Sequence, residues 1–251
     1  MFVTHAPELV EQAVQLGASG RPGTQIARDL GVPRGTVRDW LAGKTPRAAR
    51  LGPTCPLCGE AAHRFDRLPD AYVYLLGLYL GDGCISAHPR GVFRLRVALD
   101  AAYPSIIDQA AAAIRQVRPR NAVGRRRREY NDIEVSSYSK AWPCLLPQHG
   151  PGKKHERHIF LQPWQQDLVR GAPHLLLRGL IHSDGCRFVS TGRDGWRAPR
   201  YAFANLSADI RAIFMDACVQ LGVRSTTSGS TVYVSRKDDV ELLDAHGCAK
   251  G

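Results

Sequence analysis

The sequence predicts an α+β protein in which one helix-strand-strand-helix-strand-strand-helix unit occurs twice, preceded by a small all-α domain. The apolar segment Leu75–Gly83 is repeated at Leu177–Gly185, and a similar order of alternating and helical stretches follows each copy. A third observation, the amphipathic pattern near the N-terminus, predicts the leading helices. We expect a helical domain at 1–46, a basic linker at 47–68, and repeats at 69–165 and 166–251.

The first 46 residues are predicted to form three short helices, Pro7–Leu16, Thr24–Leu30 and Arg34–Leu41. Thr24 is a residue type that caps helix N-termini. Gly31 lies between the second and third helices, where a helix-turn-helix needs a positive φ. The segment resembles the helix-turn-helix of resolvases and many bacterial regulators. The resemblance implies that Arg34, Thr36 and Arg38 face a DNA major groove.

The linker contains a cysteine pair that is typical of half a metal site. Cys55 and Cys58 are separated by two residues and followed by Gly59 and His63. Two thiolates at this spacing can chelate one ion, so a zinc site with His63 as third ligand is one interpretation. A fourth ligand would come from a distance, from Cys144 or His149. Two structural cysteines without metal are the alternative.

The two apolar motifs have the same internal pattern. Each has Gly at its third position, Leu at its fourth, and Asp-Gly at its end. Gly77 and Gly179 lie on apolar helix faces, where they would let the two motif helices approach closely. Gly83 and Gly185 are predicted to end these helices in the left-handed conformation.

The elements after each motif also match. The corresponding pairs are the strands Val92–Leu99 and Tyr201–Leu206, the helices Ser105–Val117 and Ala208–Leu221, and the strands Asp132–Ser137 and Thr231–Ser235. With the two motifs, this order resembles the LAGLIDADG homing endonuclease family in its single-chain, two-repeat form, over residues 68–251. The resemblance implies a monomer with internal pseudo-twofold symmetry.

The resemblance implies a site-specific endonuclease that hydrolyses one phosphodiester on each strand of a long, asymmetric double-stranded DNA target. Asp82 and Asp184, with the carbonyl oxygens of Gly81 and Ser183, would bind Mg²⁺ or Mn²⁺. The residue types agree with this role. An Asp at a helix C-terminus is disfavoured by the helix dipole, and a divalent cation reverses that penalty.

Members of this family also place a basic residue near each metal site, late in each repeat. In the first repeat Lys153 is the preferred catalytic candidate and Lys154 the second. In the second repeat the candidate is Lys250, one residue from the end of the sequence, where side chains are often poorly fixed.

The charge of the chain agrees with a nucleic-acid partner. The net charge is +11, and most of the 34 basic residues are Arg, which suits bidentate phosphate and guanine contacts. The resemblance to the endonuclease family also implies two antiparallel sheets laid along the major groove, which we expect to present several of these arginines. The candidates are Arg94, Arg96, Arg125, Arg126, Arg127, Arg128, Arg187 and Arg200.

Seven scattered cysteines and the lack of a signal-peptide pattern predict a cytoplasmic protein, bacterial and associated with the nucleoid when bound to DNA. No apolar run approaches the roughly 20 residues of a membrane span. A non-cleaving transcriptional regulator on a domesticated LAGLIDADG scaffold is the main alternative, because a nuclease has no obvious need for the helix-turn-helix. The second alternative is an RNA-splicing maturase on the same scaffold.

Overall fold

The computed structural model describes residues 5–44, 53–129 and 131–250. Its contacts divide the chain into two compact units, Met1–His63 and Arg64–Gly251. The predicted boundary at residue 46 and the first part of the predicted linker, 47–52, lie outside the described residues. In the described part of the chain, every helix is too short or too polar to cross a membrane.

Three helices form the N-terminal part of the first unit: α1 (Pro7–Ala18), α2 (Gly23–Asp29) and α3 (Arg34–Leu41). They enclose a small core that includes Ile26, Val37 and Trp40. The predicted turn is present, since Gly31 has a φ of 62°. The predicted cap at Thr24 is wrong, because α2 begins one residue earlier and Thr24 lies within its first turn.

The second unit contains the predicted order of elements twice. The first repeat comprises α4 (Ala71–Asp82), β1 (Gly83–His88), β2 (Val92–Asp100), α5 (Pro104–Val117), β3 (Val123–Arg127), β4 (Asp132–Ser139) and α6 (Trp142–Leu145). After α7 (Pro163–Gly171), the second comprises α8 (Pro173–Asp184), β5 (Gly185–Thr191), β6 (Arg197–Ala204), α9 (Ala208–Leu221), β7 (Thr226–Ser228), β8 (Thr231–Val234) and α10 (Lys237–Ala245). The boundary predicted between residues 165 and 166 falls inside α7.

Each repeat contributes one four-stranded antiparallel sheet, with strand orders β1-β2-β4-β3 and β5-β6-β8-β7. Side chains alternate across each strand, so one face is apolar and the other is open. In β2, for example, Leu95 and Val97 are fully buried, whereas Arg94 and Arg96 are only half-buried. The α+β class and the two antiparallel sheets are therefore confirmed.

The two motif helices pack against each other through their smallest residues. Helix α4 is apolar on all sides and is buried from Tyr72 to Leu80, as expected for such a helix. A Cβ atom built on Gly77 would lie 2.9 Å from the Cα atom of Gly179, so the contact is made by backbone. Four residues further on, a Cβ atom built on Gly81 would lie 2.5 Å from the Cβ atom of Ser183, so here the backbone of α4 meets a small side chain of α8. This matched spacing brings the C-terminal ends of α4 and α8 side by side.

The glycines after each acid have a different role from the predicted one. Gly83 and Gly185 have φ values of −86° and −98°, so neither adopts the left-handed conformation. A Cβ atom on Gly83 would lie 2.8 Å from the carbonyl oxygen of Tyr79, and one on Gly185 would lie 2.6 Å from the Cα atom of Ile181. Glycine is required here because the chain turns back against the last helical turn.

Candidate active site

Two carboxylates meet where the motif helices end. Asp82 is the last residue of α4, and Asp184 is the last residue of α8. A Cβ atom built on Gly81 would lie 3.2 Å from Oδ2 of Asp184, so the missing side chain leaves room for this carboxylate. The structure thus brings together the four metal-ligand candidates, Asp82, Asp184, Gly81 and Ser183.

The electrostatics of this cluster favour a bound cation. The surrounding protein desolvates Asp82 and raises its pKa to about 6, and the negative charge of Asp184 contributes in the same direction. The Asp82 side chain itself remains partly open to solvent. Desolvation also raises the pKa of Asp184. The protein alone therefore does not supply enough positive charge to balance the carboxylates at these negative helix ends.

A lysine from the end of the first repeat covers the terminus of α4. Lys154 Nζ donates hydrogen bonds to the carbonyl oxygens of Tyr79, Leu80 and Gly81, at 2.5, 2.8 and 2.6 Å. Burial lowers the pKa of Lys154 to about 8, although the nearby carboxylates of Asp184 and Asp82 act in the opposite direction. Lys154 therefore places a cation beside the acid pair.

Lys153, the preferred candidate from the sequence, is placed differently. It borders a cleft that Gly81 and Asp184 also line, but its ammonium is largely exposed and lies 3.9 Å from the carboxylate of Glu156. Its backbone is extended just before a short 3₁₀ turn, so neighbouring side chains leave the chain in different directions. Of the two lysine candidates, Lys154 is therefore the one that contacts the end of α4.

Lys250 occupies the equivalent place in the second repeat, where its Nζ donates to the carbonyl oxygen of Ser183 at 2.8 Å. His182 anchors the turn that leads to it, with Nε2 3.1 Å from the Gly247 carbonyl and Nδ1 2.9 Å from the Tyr74 hydroxyl. Because a carbonyl only accepts, Nε2 carries the proton and Nδ1 accepts from Tyr74. Burial lowers the pKa of His182 to about 4, so the ring is neutral. Lys250 is thus better fixed than its terminal position suggests.

Asn205 belongs to this site and was missed from the sequence. Its Nδ2 donates to Oδ2 of Asp184 at 2.6 Å, and its Oδ1 accepts from the backbone N–H of Ser207 at 2.8 Å. The local sequence marks Asn205 only as a turn residue between β6 and α9. Its contact with Asp184 is tertiary and leaves no local signal.

The open face of the first sheet carries several of the predicted DNA-binding residues. Arg94 and Arg96 share this face, and Arg94 Nη2 donates to the buried carboxylate of Glu134 at 2.5 Å. Arg96 Nη1 lies 4.0 Å from the same carboxylate. Arg126 is paired with Glu134 in register and so lies on the same face. Glu134, which the sequence did not single out, therefore orients two of the arginines.

Other predicted arginines are engaged elsewhere. Arg125 points to the helical side of the sheet and lies 2.6 Å from Asp108 of α5. Arg187 faces α10, where its Nε and Nη2 each donate to Asp244 at 2.8 Å. Successive strand residues alternate between faces, so a run of arginines cannot all face one ligand. Arg125 and Arg187 therefore lie on the helical side of their sheets rather than on the open faces.

The remaining arginines lie at the edges or on the second sheet. Arg127 Nη2 donates to Asn131 at 3.0 Å, and Arg128 Nη1 lies 3.2 Å from Asp132. Arg200 lies on the open face of the second sheet, with its guanidinium 5.6 Å from the centre of the Trp196 ring.

In the first unit, Arg34 and Arg38 are exposed on α3, and Thr36 is half-buried. Arg34 and Arg38 are four residues apart and form one exposed stripe, whereas Thr36 is four residues before the buried Trp40 and lies on the same side of the helix as that residue.

The strand order, the repeat order and the paired acid-ended helices resemble the LAGLIDADG homing endonuclease family in its two-repeat form. No protein-family profile and no curated protein matches the chain.

Among solved structures, mesophilic variants of the homing endonuclease I-DmoI are similar, with 13% identity, a TM-score of 0.45, and coverage of 70% of this chain and 93% of that chain. The LAGLIDADG meganuclease I-AabMI bound to uncleaved DNA has 10% identity, a TM-score of 0.44, and coverage of 70% and 82%. The LAGLIDADG homing endonuclease I-SmaMI bound to cleaved DNA has 8% identity, a TM-score of 0.45, and coverage of 71% and 84%.

Proposed function

We propose that the chain is a metal-dependent, site-specific DNA endonuclease that acts as a monomer and cuts each strand of a long asymmetric duplex once. One observation carries this proposal. The small-residue contact between α4 and α8 sets Asp82 and Asp184 side by side, with Lys154 and Lys250 at the corresponding helix ends. A pair of matched half-sites suits two antiparallel DNA strands.

The donor set fits a hard divalent cation. The candidate ligands are the carboxylates of Asp82 and Asp184 and the carbonyl oxygens of Gly81 and Ser183, all oxygen donors such as Mg²⁺ or Mn²⁺ prefers. Each of the two carbonyls also accepts from a lysine ammonium, so only its second lone pair would serve an ion. When bound, the ion lowers the pKa of a coordinated water and stabilises charge on the attacked phosphate.

The residues of the chain have separate tasks in this proposal. Lys154 and Lys250 hold positive charge beside each carboxylate, where it stabilises the negative charge that develops on the phosphate oxygens. Asn205 fixes the orientation of the Asp184 carboxylate through its 2.6 Å hydrogen bond. Arg94 and Arg96 bind and position the duplex on the first sheet.

The test is cleavage of a plasmid library in Mg²⁺ or Mn²⁺ by the wild type, Asp82→Asn and Asp184→Asn. We expect linear products from the wild type and a loss of at least about 10²-fold in each variant. Asp167→Asn is the matched control, because Asp167 is an exposed acid of α7 that pairs with Arg170. Tight DNA binding by the wild type without cation-dependent cleavage would contradict the nuclease proposal.

That contrary result would favour the second candidate, a non-cleaving transcriptional regulator. The observation in its favour is the three-helix unit, in which α3 presents exposed Arg34 and Arg38. We propose that α3 enters a major groove in either case. Substitution of both arginines by Ala is then expected to weaken DNA binding without changing the cleavage rate at saturating protein.

A further inference from the structure

Segment 53–63 of the first unit is short, but its backbone is ordered by several hydrogen bonds. Thr54 and Ala61 form an antiparallel bridge. The backbone N–H of Cys55 donates to the Glu60 carbonyl at 2.7 Å, and that of Gly59 donates to the Cys55 carbonyl at 2.8 Å. Gly59 has a φ of 68°, which a tight reversal requires and which glycine adopts without strain. The chain therefore returns on itself at the cysteine pair.

The side chains that turn inward are not the apolar ones. Leu57 is 83% exposed, whereas Cys55 is only 9% exposed, and Cys58 and His63 are half-buried. So short a segment cannot bury enough apolar surface to offset its conformational entropy. The inner contacts consist instead of two sulphur atoms and an imidazole, the donor types of a structural zinc site.

The distances fit one shared ion. Cys58 Sγ lies 3.3 Å from His63 Nε2. The ligand atoms of Cys55, Cys58 and His63 all lie within 4.8 Å of one another. A tetrahedral zinc ion with bonds of about 2.0–2.3 Å separates its ligands by about 3.5–3.8 Å. Small side-chain rotations therefore suffice for all three to reach the same ion.

We propose that Cys55, Cys58 and His63 bind a structural zinc ion that holds segment 53–63 in its fold. The site is chemically distinct from the oxygen cluster at Asp82 and Asp184, since thiolates select zinc and carboxylates select Mg²⁺. A tetrahedral site takes a fourth ligand, for which the sequence offers Cys144 and His149. The proposal stands independently of the nuclease activity.

The first test is the metal content of the full chain, purified without chelators and measured by mass spectrometry. We expect about one zinc per chain in the wild type. Cys55→Ser, Cys58→Ser and His63→Ala should each lose most of it. Cys218→Ala, which removes a buried cysteine of α9, should retain it. The same measurement on Cys144→Ser and His149→Ala assigns the fourth ligand.

A second measurement keeps the proposal testable if a variant fails to fold. Co²⁺ added to the metal-free wild type should give a thiolate-to-cobalt charge-transfer band, which Zn²⁺ then removes. Chelation of the wild type should make segment 53–63 sensitive to protease. Wild-type protein without zinc and with Cys55 and Cys58 joined by a disulfide would overturn the proposal, and so would full zinc content in Cys58→Ser.

Discussion

Asp82 and Asp184 are placed where a protein selected only for stability would not place them. Each carboxylate lies at the negative end of a helix and close to the other, and burial raises the pKa of both. Groups perturbed in this way are concentrated at functional sites. The local sequence reveals the acids but not how much the fold disfavours their charge.

The first prediction concerns the stability that the protein loses by holding the Asp82 charge in this position. In cation-free buffer at neutral pH, Asp82→Asn should raise the free energy of unfolding by about 1 kcal/mol, a value already reduced for the exposure of the side chain. Urea denaturation measures the change. At high Mg²⁺ concentration the wild type should become more stable than Asp82→Asn, because the bound ion stabilises its folded state. Asp167→Asn should behave like the wild type in both conditions. A less stable Asp82→Asn protein without cation would contradict the charge argument.

The second prediction separates two adjacent lysines. Lys154→Ala should reduce the cleavage rate at saturating cation by about 10²-fold, because it removes the charge at the end of α4. Lys153→Ala should leave the rate within about twofold, since its ammonium is solvated beside Glu156. Single-turnover cleavage of a selected target gives both rates. Equal losses in the two variants would show that the side-chain positions do not determine catalysis.

The third prediction is a pH dependence of stability. Arg224 donates three hydrogen bonds to the buried Asp239, and these hold the pKa of Asp239 below its usual value. A lowered pKa contributes stability above the unfolded value, near pH 4, and this contribution is lost as the pH falls through the folded pKa. Asp239→Asn should cost about 1–2 kcal/mol at pH 7 and progressively less below pH 4.

Urea denaturation across that range measures the effect. Asp238→Asn is the matched control, since Asp238 is the exposed neighbour in the same first turn. A constant difference between the wild type and Asp239→Asn across the titration would exclude the ion pair as the cause.

At the level of elements, the position of the site follows from the contact between α4 and α8. Gly77 and Gly81 on one helix face Gly179 and Ser183 on the other. Larger residues at these positions would separate the helices and with them the two carboxylates. The geometry of the site therefore depends on residues that have no chemistry of their own.

The fourth prediction tests this dependence. A Cβ atom at Gly77 would lie 2.5 Å from the carbonyl oxygen of Leu176, and backbone cannot yield there without moving a helix. Gly77→Ala should cost about 1–3 kcal/mol and reduce cleavage further than the stability loss explains. Gly171→Ala is the control, because a Cβ atom there has no neighbour within 4 Å. Thermal denaturation and cleavage assays on the same preparations measure the loss of stability and the loss of cleavage rate separately.

The elements themselves could be predicted well from the sequence, and the side-chain partners could not. Periodicity gives α9 its bounds, and the duplication gives the order of strands and helices. The directions of the Arg187 and Lys153 side chains could not be predicted, because they depend on the strand face and on the turn geometry. Asn205 and Glu134 were missed because their contacts join separate elements, which no local pattern records.

At the scale of the whole second unit, the two open sheet faces differ in chemistry. The first carries Arg94, Arg96 and Arg126 around the buried Glu134. In the second sheet, strand register puts Phe188, Ala202 and Tyr233 on the open face together with Arg200. Thr231, Thr226, Ser228 and Ser190 share this face by register. One sheet therefore offers mainly charged side chains, and the other offers mostly neutral ones, many of them hydroxyls, around Arg200.

The fifth prediction contrasts two arginines that the sequence alone treats alike. Arg96→Ala should weaken binding to a selected duplex and reduce the slope of log affinity against log salt by about one. Arg187→Ala should leave that slope unchanged and lower stability instead, because its guanidinium is held by Asp244. Titration of labelled duplex at several salt concentrations, with thermal denaturation, separates the two effects. Equal salt slopes for wild type and Arg96→Ala would remove Arg96 from the contact surface.

The difference between the two open sheet faces makes the two halves of the proposed DNA-binding surface inequivalent. On a duplex whose halves differ, only one orientation would match each face to the half that suits it, and the reversed orientation would exchange the mainly charged face and the mostly neutral one. Each half of the recognised site could then change through substitutions in a single sheet, while the backbone contact between Gly77 and Gly179 remains untouched. Such a protein could adapt to sequence changes in its DNA target one half-site at a time.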